Sequence, residues 1–186
     1  MTTVVRAGNR GQSAKNSRYT WLTAAYRELL SRGDRAVSAI RAGLRDANPA
    51  VREGCCRLLD HLVDTDSMGE LVAMAGDPDA RVRIAAFHAL ACDRCKGDTC
   101  APGPDRVLEP ALHHLAAGPD PHVRAMAVEL VGTFACSDAR AAAALGESQA
   151  NDPSPAVRKK AGWYAPGGPI HARRQRGPAT SAHHPE

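Results

Sequence analysis

The sequence is poor in aromatic residues: its 186 residues include two tryptophans, three tyrosines and two phenylalanines. Alanine, by contrast, is abundant. This composition is typical of helices that pack closely through small side chains, and it argues against a β-sandwich or a β-barrel. The chain is long enough for one domain with a substantial core.

Long hydrophobic runs are also missing, and no stretch resembles the apolar region of a signal peptide. We therefore expect neither an export signal nor a membrane-spanning segment, and a cytoplasmic location follows by default. Residues 1–17 are polar and carry Arg6, Arg10 and Lys15, so they predict a disordered basic lead-in.

Recognisable catalytic motifs are absent as well. The sequence contains no nucleophile elbow, no phosphate-binding glycine loop and no pair of carboxylates at a defined spacing. His113 and His114 lie among leucines in a predicted helix, where packing or surface roles are common. No set of residues assembles into a catalytic group, so we expect the protein not to be an enzyme.

The net charge of +4 is unevenly distributed. Residues 21–158 contain 15 Lys and Arg against 19 Asp and Glu, a net charge of −4. The two ends contain the other 9 Lys and Arg and 1 Asp or Glu, a net charge of +8. Because the body is acidic, nucleic-acid binding is expected only as weak, salt-sensitive contact through the basic tails.

One short tract occurs four times, and the rest of the chain is arranged around it. Its valines are separated by 31, 41 and 34 residues, a period that predicts a solenoid of helical pairs. The four copies are residues 46–52 (DANPAVR), 77–83 (DPDARVR), 118–124 (GPDPHVR) and 152–158 (DPSPAVR).

The residues of this tract predict a turn that ends one helix and begins the next. Asn48, Asp79, Asp120 and Ser154 are good N-cap residues, and proline is favoured at the first helical position that follows. The arginine after each valine can pair with an acidic turn residue of its own or an adjacent repeat. The predicted first helices are 34–45, 67–76, 105–117 and 137–151; the predicted second helices are 49–62, 80–92, 121–134 and 155–164.

Alignment on the four valines indicates which residues form the core. A small residue follows each valine by four positions, and a larger aliphatic residue follows by eight, so all three lie on one helical face. The small residues are Cys55, Ala86, Ala127 and Ala161, and the larger ones are Leu59, Leu90 and Val131. A preceding helix near 19–31 is predicted to cap the open end of the stack.

The quoted tracts resemble HEAT repeats, specifically the short HEAT-like class first described in phycobilin lyase subunits. The resemblance covers residues 34–164 and implies an armadillo-like, right-handed superhelix that serves as a platform for a protein partner. Related hydroxylases hold iron with His-Glu dipeptides, which this sequence lacks. Related DNA glycosylases use a basic groove, which does not suit the acidic body.

The 41-residue gap contains an insert, residues 92–104, that the other repeats lack. It holds Cys92, Cys95 and Cys100, a spacing that suits three thiolate ligands of zinc. His61 and Cys136 occupy the matching columns of the neighbouring repeats and compete as the fourth ligand, and His88 is a further candidate. The same cysteines can instead form a redox-active thiol cluster or a local disulfide, or remain reduced.

The sequence thus predicts an all-α solenoid of about four HEAT-like hairpins over residues 18–164, followed by a flexible basic tail over 165–186. Trp163 and Tyr164 are expected to cover the last repeat, or to form a stacking patch beside the tail arginines. The predicted function is a non-catalytic scaffold for an unidentified protein partner, with Arg83 and Arg124 on its binding surface. A metal or thiol module centred on Cys92, Cys95 and Cys100 and nucleic-acid binding through the tails are the alternatives.

Overall fold

The fold is built from short α-helices, with no β-strand in the part of the chain that the structure describes. The structure is a computed structural model, and it describes residues 24–62, 64–91 and 102–176. The helices are α1 (24–32), α2 (Val37–Gly43), α3 (Pro49–Leu62), α4 (Met68–Met74), α5 (Ala80–Ala91), α6 (Pro104–Ala117), α7 (Pro121–Phe134), α8 (Ala139–Asn151), α9 (Pro155–Tyr164) and α10 (Pro169–Gln175).

The helices form successive hairpins, which confirms the predicted all-α solenoid. In each repeat a first helix packs against a second one: α2 on α3, α4 on α5, α6 on α7 and α8 on α9. The second helices then pack side by side in chain order, α3 on α5, α5 on α7 and α7 on α9. Each hairpin therefore buries its apolar face only with the help of its neighbours.

The predicted second helices agree closely with the structure. Three of them begin and end at the predicted residues, and the fourth, α5, is helical to Ala91, where the described residues stop. The first helices are less regular. Predicted helices 34–45 and 67–76 begin instead with 3-10 turns at Gly33–Ala36 and Thr65–Ser67, so α2 and α4 have seven residues each.

The C-terminal segment differs from the prediction. A flexible tail was expected from residue 165, but Pro169–Gln175 form a helix, α10, that packs against α9. The prolines and glycines between them form a tight turn in which Gly167 has a φ of 85° and Gly168 lies against the carbonyls of α9. The tail prediction is wrong for residues 169–175, because this turn connects two helices rather than ending the fold.

The core columns predicted from the repeat are buried. Val82, Val123 and Val157 are at most 1% exposed, and the residues four and eight positions after each valine are buried as well. Val51 is the exception, since it lies in the first repeat and is only partly covered. Tyr26 and Leu29 of α1 pack against this core, as expected of a capping helix.

Cys55 and Cys56 belong to this core, as the column alignment predicts. Cys55 takes the place of alanine in its column, and its sulfur packs against Gly43 of α2, where a Cβ would come within 2.6 Å of it. Burial raises the pKa of Cys55 to about 11 and that of Cys56 to about 12. Both side chains therefore behave as small apolar groups rather than as thiolates.

This burial predicts the order in which these thiols react. At pH 8, iodoacetamide should leave Cys55 and Cys56 of the folded protein unmodified while it alkylates the exposed Cys136. Peptide mapping by mass spectrometry measures the extent at each site, and the same reaction in urea is the control in which all three should react. Alkylation of Cys55 or Cys56 at the rate of Cys136 in the folded state would contradict their place in the core.

Candidate functional site: the arginine ladder and its interruption

The four turn arginines, Arg52, Arg83, Arg124 and Arg158, form a regular series that we call the arginine ladder. Each arginine donates from Nη1 to the carbonyl oxygens of the first two residues of its own turn. The shorter of these bonds measures 2.8 Å for Arg52, 2.6 Å for Arg83, 2.8 Å for Arg124 and 2.6 Å for Arg158. In this way the arginine holds the end of the preceding helix against the helix that follows.

Two of the arginines also bind the aspartate that begins the next turn. Arg52 donates from Nε and Nη2 to Asp77 at 2.7 and 2.9 Å, and Arg124 donates to Asp152 at 2.8 and 2.9 Å. Both aspartate side chains are only 4% exposed. These forked, nearly dry ion pairs link each repeat to the next one.

The two paired carboxylates are held in their ionised form. The hydrogen bond from Arg52 is the main cause that lowers the pKa of Asp77 below its usual range. Burial alone would raise the pKa of Asp152, but the bonds from Arg124 and from the Ser154 amide outweigh it and lower the pKa.

The same aspartates also bind the backbone of their own turns. The side chains of Asp46, Asp77 and Asp152 each accept the amide N–H two residues ahead, at 2.7, 2.8 and 2.7 Å. The side chains of the predicted caps Asn48, Asp79 and Asp120 each accept the amide N–H two residues after the cap itself, at 3.0, 2.9 and 2.7 Å. Ser154 occupies the N-cap position of α9 as predicted, but its side chain makes no capping bond, and its own amide donates to Asp152.

The ladder is interrupted between the second and third repeats. Position 118, where the other turns have aspartate, is glycine, so the third turn has no carboxylate at the position that binds Arg52 and Arg124 in the other repeats. The Nε atom of Arg83 is buried and has no hydrogen-bond partner in the described part of the chain. Arg83 therefore keeps the bonds to its own turn but lacks the acidic partner that Arg52 and Arg124 have.

Close packing explains the glycine. The Gly118 amide donates to the His114 carbonyl at 3.0 Å, and a Cβ at position 118 would lie 2.5 Å from that oxygen and 3.4 Å from Cγ of Arg124. A side chain here requires the last turn of α6 to shift, because the nearest atom is backbone. The absence of a carboxylate at position 118 is thus a consequence of the close packing at the end of α6.

We predict that Gly118→Ala lowers the free energy of unfolding by about 1–3 kcal/mol, because the added methyl group meets the His114 carbonyl. Urea unfolding followed by circular dichroism measures the change. Gly146→Ala is the matched control: Gly146 lies within α8, a Cβ there meets nothing within 4 Å, and the substitution should stabilise the protein by about 0.5–1 kcal/mol. Equal effects of the two substitutions would contradict the close approach at Gly118.

An open cleft of about 480 Å³ lies beside this interruption, between the first helices α4 and α6. Most of its lining is apolar or small, with one carboxylate and two histidines at its α6 side. The lining residues are Val72, Ala73, Gly76, Glu109, Pro110, His113 and His114. By contrast, the next two first helices, α6 and α8, pack directly against each other.

His114 connects the cleft to the interruption of the ladder. Its ring meets the edge of buried Phe87 at 5.3 Å between ring centroids. Burial is the largest cause that lowers the pKa of His114, followed by the charges of Arg83 and His113, while a hydrogen bond to the backbone of Ala75 acts in the opposite direction. The Arg83 charge thus acts on a side chain that lines the cleft.

The two predicted surface arginines lie in different environments. Arg124 is only 7% exposed and bound to Asp152 and Gly118, so it holds the turns together and does not line a surface. The expectation that Arg124 forms part of the interaction surface is therefore not met in this structure. Arg83 is half-buried, and its charge acts on His114 of the cleft lining.

The predicted metal ligands are only partly described. Cys92, Cys95 and Cys100 lie outside the described residues. His61 is exposed and edge-on to Tyr26, His88 Nε2 lies 3.7 Å from Asp60, and Cys136 Sγ lies 3.9 Å from the His171 carbonyl oxygen. Over residues 24–62, 64–91 and 102–176, no three His, Cys, Asp or Glu side chains are grouped as metal ligands. The zinc site at the cysteine insert stays a prediction.

The two aromatic residues near the C-terminus do not act together as a lid. Tyr164 packs over Gly132 of α7, where its ring occupies the space that a Cβ would fill. Trp163 is 41% exposed, with the Lys159 ammonium group 5.7 Å from its ring centroid. Tyr164 therefore packs back onto the preceding repeat and Trp163 remains on the surface, so neither ring covers the last repeat as expected.

Comparison with known proteins bears on the first half of the chain. Residues 23–99 match the family model described as HEAT repeats. No curated protein matches the chain. Among the described helices, none combines the length and the apolar character needed to cross a membrane. The match concerns HEAT repeats in general, so the phycobilin lyase-type subclass that the sequence resembles stays a prediction.

Proposed function

We propose that this chain, whose residues 23–99 are HEAT repeats, is a non-catalytic scaffold that binds a protein partner in the cleft between α4 and α6. The proposal includes the cytoplasmic location that the sequence suggests by default. HEAT repeats commonly form interaction surfaces, and stacked hairpins present long exposed helix faces for this purpose. The observation that supports the position of the site is the open cleft itself.

The polar groups that recur in the repeats do not supply such a surface. The ladder arginines, the turn aspartates and the caps are mostly used to bind neighbouring turns, so they explain the architecture rather than the partner. The cleft, in contrast, combines apolar side chains such as Val72 and Pro110 with the polar groups of Glu109 and His113 at its edge. A mainly apolar depression with a few polar groups is the usual composition of a binding pocket, and the buried core of a protein interface is apolar as well.

Affinity capture from native lysate tests the proposal. The full-length chain is the bait, and it is compared with Ala73→Arg, which places a long charged side chain in the cleft from an exposed position on α4. Ala143→Arg, at an exposed position on α8, is the matched control. A protein that mass spectrometry finds with the wild type and Ala143→Arg, but not with Ala73→Arg, is the expected result.

Two outcomes would contradict the proposal at different levels. If no protein is captured specifically by the wild type, the scaffold function fails. If Ala73→Arg captures the same protein as well as Ala143→Arg does, the cleft is not the binding site. Elemental analysis of the same preparation for zinc and iron tests the cysteine insert independently, and absence of stoichiometric metal would end the metal hypothesis.

A further inference from the structure

We propose that Arg83 is an anion site for the carboxylate of an acidic side chain on the protein partner, and that this carboxylate takes the place of the aspartate missing at position 118. The inference rests on the proposed scaffold function, and it adds the chemistry by which the partner is recognised. It is drawn from the comparison of equivalent positions in the repeats of this chain.

The two complete copies show what the site accepts. At Arg52 and at Arg124, Nε and Nη2 together bind both oxygens of one carboxylate, with all four distances between 2.7 and 2.9 Å. Arg83 has the same position after its valine and the same bonds from Nη1 to its own turn. The fork formed by Nε and Nη2 of the Arg83 guanidinium group is therefore held in place in the same way before any ligand is bound.

The second copy, at Arg83, lacks only the acid. Arg83 Nε is a buried donor without a partner, and such a group is costly to leave unsatisfied. In the described ranges no carboxylate lies within ion-pair distance of Arg83, whereas those of Asp77 and Asp152 are bound to Arg52 and Arg124. A carboxylate from outside would satisfy the donor and balance the charge of Arg83.

An incoming carboxylate would reach Arg83 from the side of the cleft. The direction of a Cβ at Gly118 is closed by the His114 carbonyl oxygen, which would lie 2.5 Å from it. Gly76, directly before the turn to which Arg83 is bonded, lines the open cleft and is exposed. The acidic residue of the cleft, Glu109, is highly exposed and lies 3.5 Å from Arg140 of α8.

The partner identified by this chemistry is a protein segment with an aspartate or glutamate that enters the cleft. The charge of Arg83 acts at the cleft, since it is the largest cause after burial that lowers the pKa of His114, a residue of the cleft lining. Apolar side chains of the same segment would contact Val72 and Pro110. Charge complementarity would then select an acidic segment, and the cleft would supply the contact area.

Nuclear magnetic resonance of the arginine Nε–H groups tests the anion site with acetate as the probe. Acetate is titrated into the full-length protein against chloride at equal ionic strength, and Arg83→Gln identifies the Arg83 signal. The Arg83 signal should shift saturably, while those of Arg52 and Arg124 should not, because their forks are already occupied. If the Arg83 signal shifts no more than theirs, or equally with chloride, the inference is wrong. Saturation by phosphate but not by acetate would contradict the choice of a carboxylate.

A second experiment connects the site to the partner. Arg83→Gln is compared with Arg158→Gln, since both arginines make the same pair of bonds to their own turn and neither binds a carboxylate within the described residues. The two variants should lose similar stability, so a difference between them reports on binding. Affinity for the captured partner should fall by roughly tenfold or more in Arg83→Gln and by less than about twofold in Arg158→Gln.

The outcomes separate this inference from the scaffold proposal. If the wild type captures a partner and Arg83→Gln binds it equally well, the carboxylate site is wrong and the scaffold function stands. If the wild type captures no partner, the scaffold function fails, and the partner carboxylate proposed for Arg83 fails with it. In that case the acetate titration still shows whether Arg83 binds anions on its own.

Discussion

Val82→Asp should unfold the repeat stack, with a loss of more than about 4 kcal/mol in the free energy of unfolding. Val82 is 0% exposed and lies where α5 packs between α3 and α7, so its side chain is enclosed by neighbouring hairpins. A carboxylate there would be buried without a partner, or the hairpins would have to separate. The helical signal in circular dichroism, followed through a thermal melt, measures the effect.

Val51→Asp is the matched control for this prediction. Val51 occupies the same column but is only partly buried, so its carboxylate can reach water and the expected loss is about 1–2 kcal/mol. Val82→Ala separates lost volume from introduced charge and should cost about 2 kcal/mol. A wild-type melting temperature for Val82→Asp would show that the column assignment is wrong.

Asp152→Asn is expected to lower the free energy of unfolding by about 2–3 kcal/mol at pH 7, because it removes the charge that compensates buried Arg124. Asp46→Asn is the matched control. Asp46 makes the same bond to the backbone N–H two residues ahead, but it is exposed and receives no arginine from a preceding repeat within the described chain. The difference between the two variants therefore reports on the ion pair across repeats.

The ion pairs also predict how stability depends on pH. The pKa values of Asp77 and Asp152 are lowered in the folded state, so their contribution is complete above the unfolded value of about 3.9 and is lost as the pH falls through the folded values. Urea midpoints between pH 6 and pH 2.5 should fall less steeply for Asp152→Asn than for the wild type. An identical slope for both proteins would contradict the ionised pair at Asp152.

The sequence predicted the second helices and the core columns well, because both follow from the repeat. Proline at the first helical position and the spacing from Val82 to Leu90 are local signals, and local signals determine where such helices begin and what they bury. The missed helix at Pro169–Gln175 shows the limit of this approach. The proline- and glycine-rich residues that precede this helix have the composition of a tail. Only the packing of the helix against α9 distinguishes it from a tail.

The partners of the ladder arginines could be predicted only in outline. The sequence allowed pairing within a repeat or with an adjacent one, and the structure shows both, backbone carbonyls from the same turn and a carboxylate from the next. The repeat period does not indicate toward which repeat a long arginine side chain extends. The partner of each arginine could therefore be identified only from the structure. The interruption itself was visible as Gly118 in the column of Asp77 and Asp152, although its meaning depends on the buried Nε of Arg83.

The interruption at Gly118 also affects the coupling between neighbouring repeats of the solenoid. Repeats joined by an ion pair across the turns should unfold together, since stability in such stacks depends on the coupling between nearest neighbours. Within the described residues, the joint between the second and third repeats retains the contact of α5 with α7 but has no acidic partner for Arg83, and an open cleft lies between its first helices, α4 and α6. We therefore expect the stack to bend more easily at this joint than at the two joints with an ion pair, and a partner that bridges it to stiffen the solenoid.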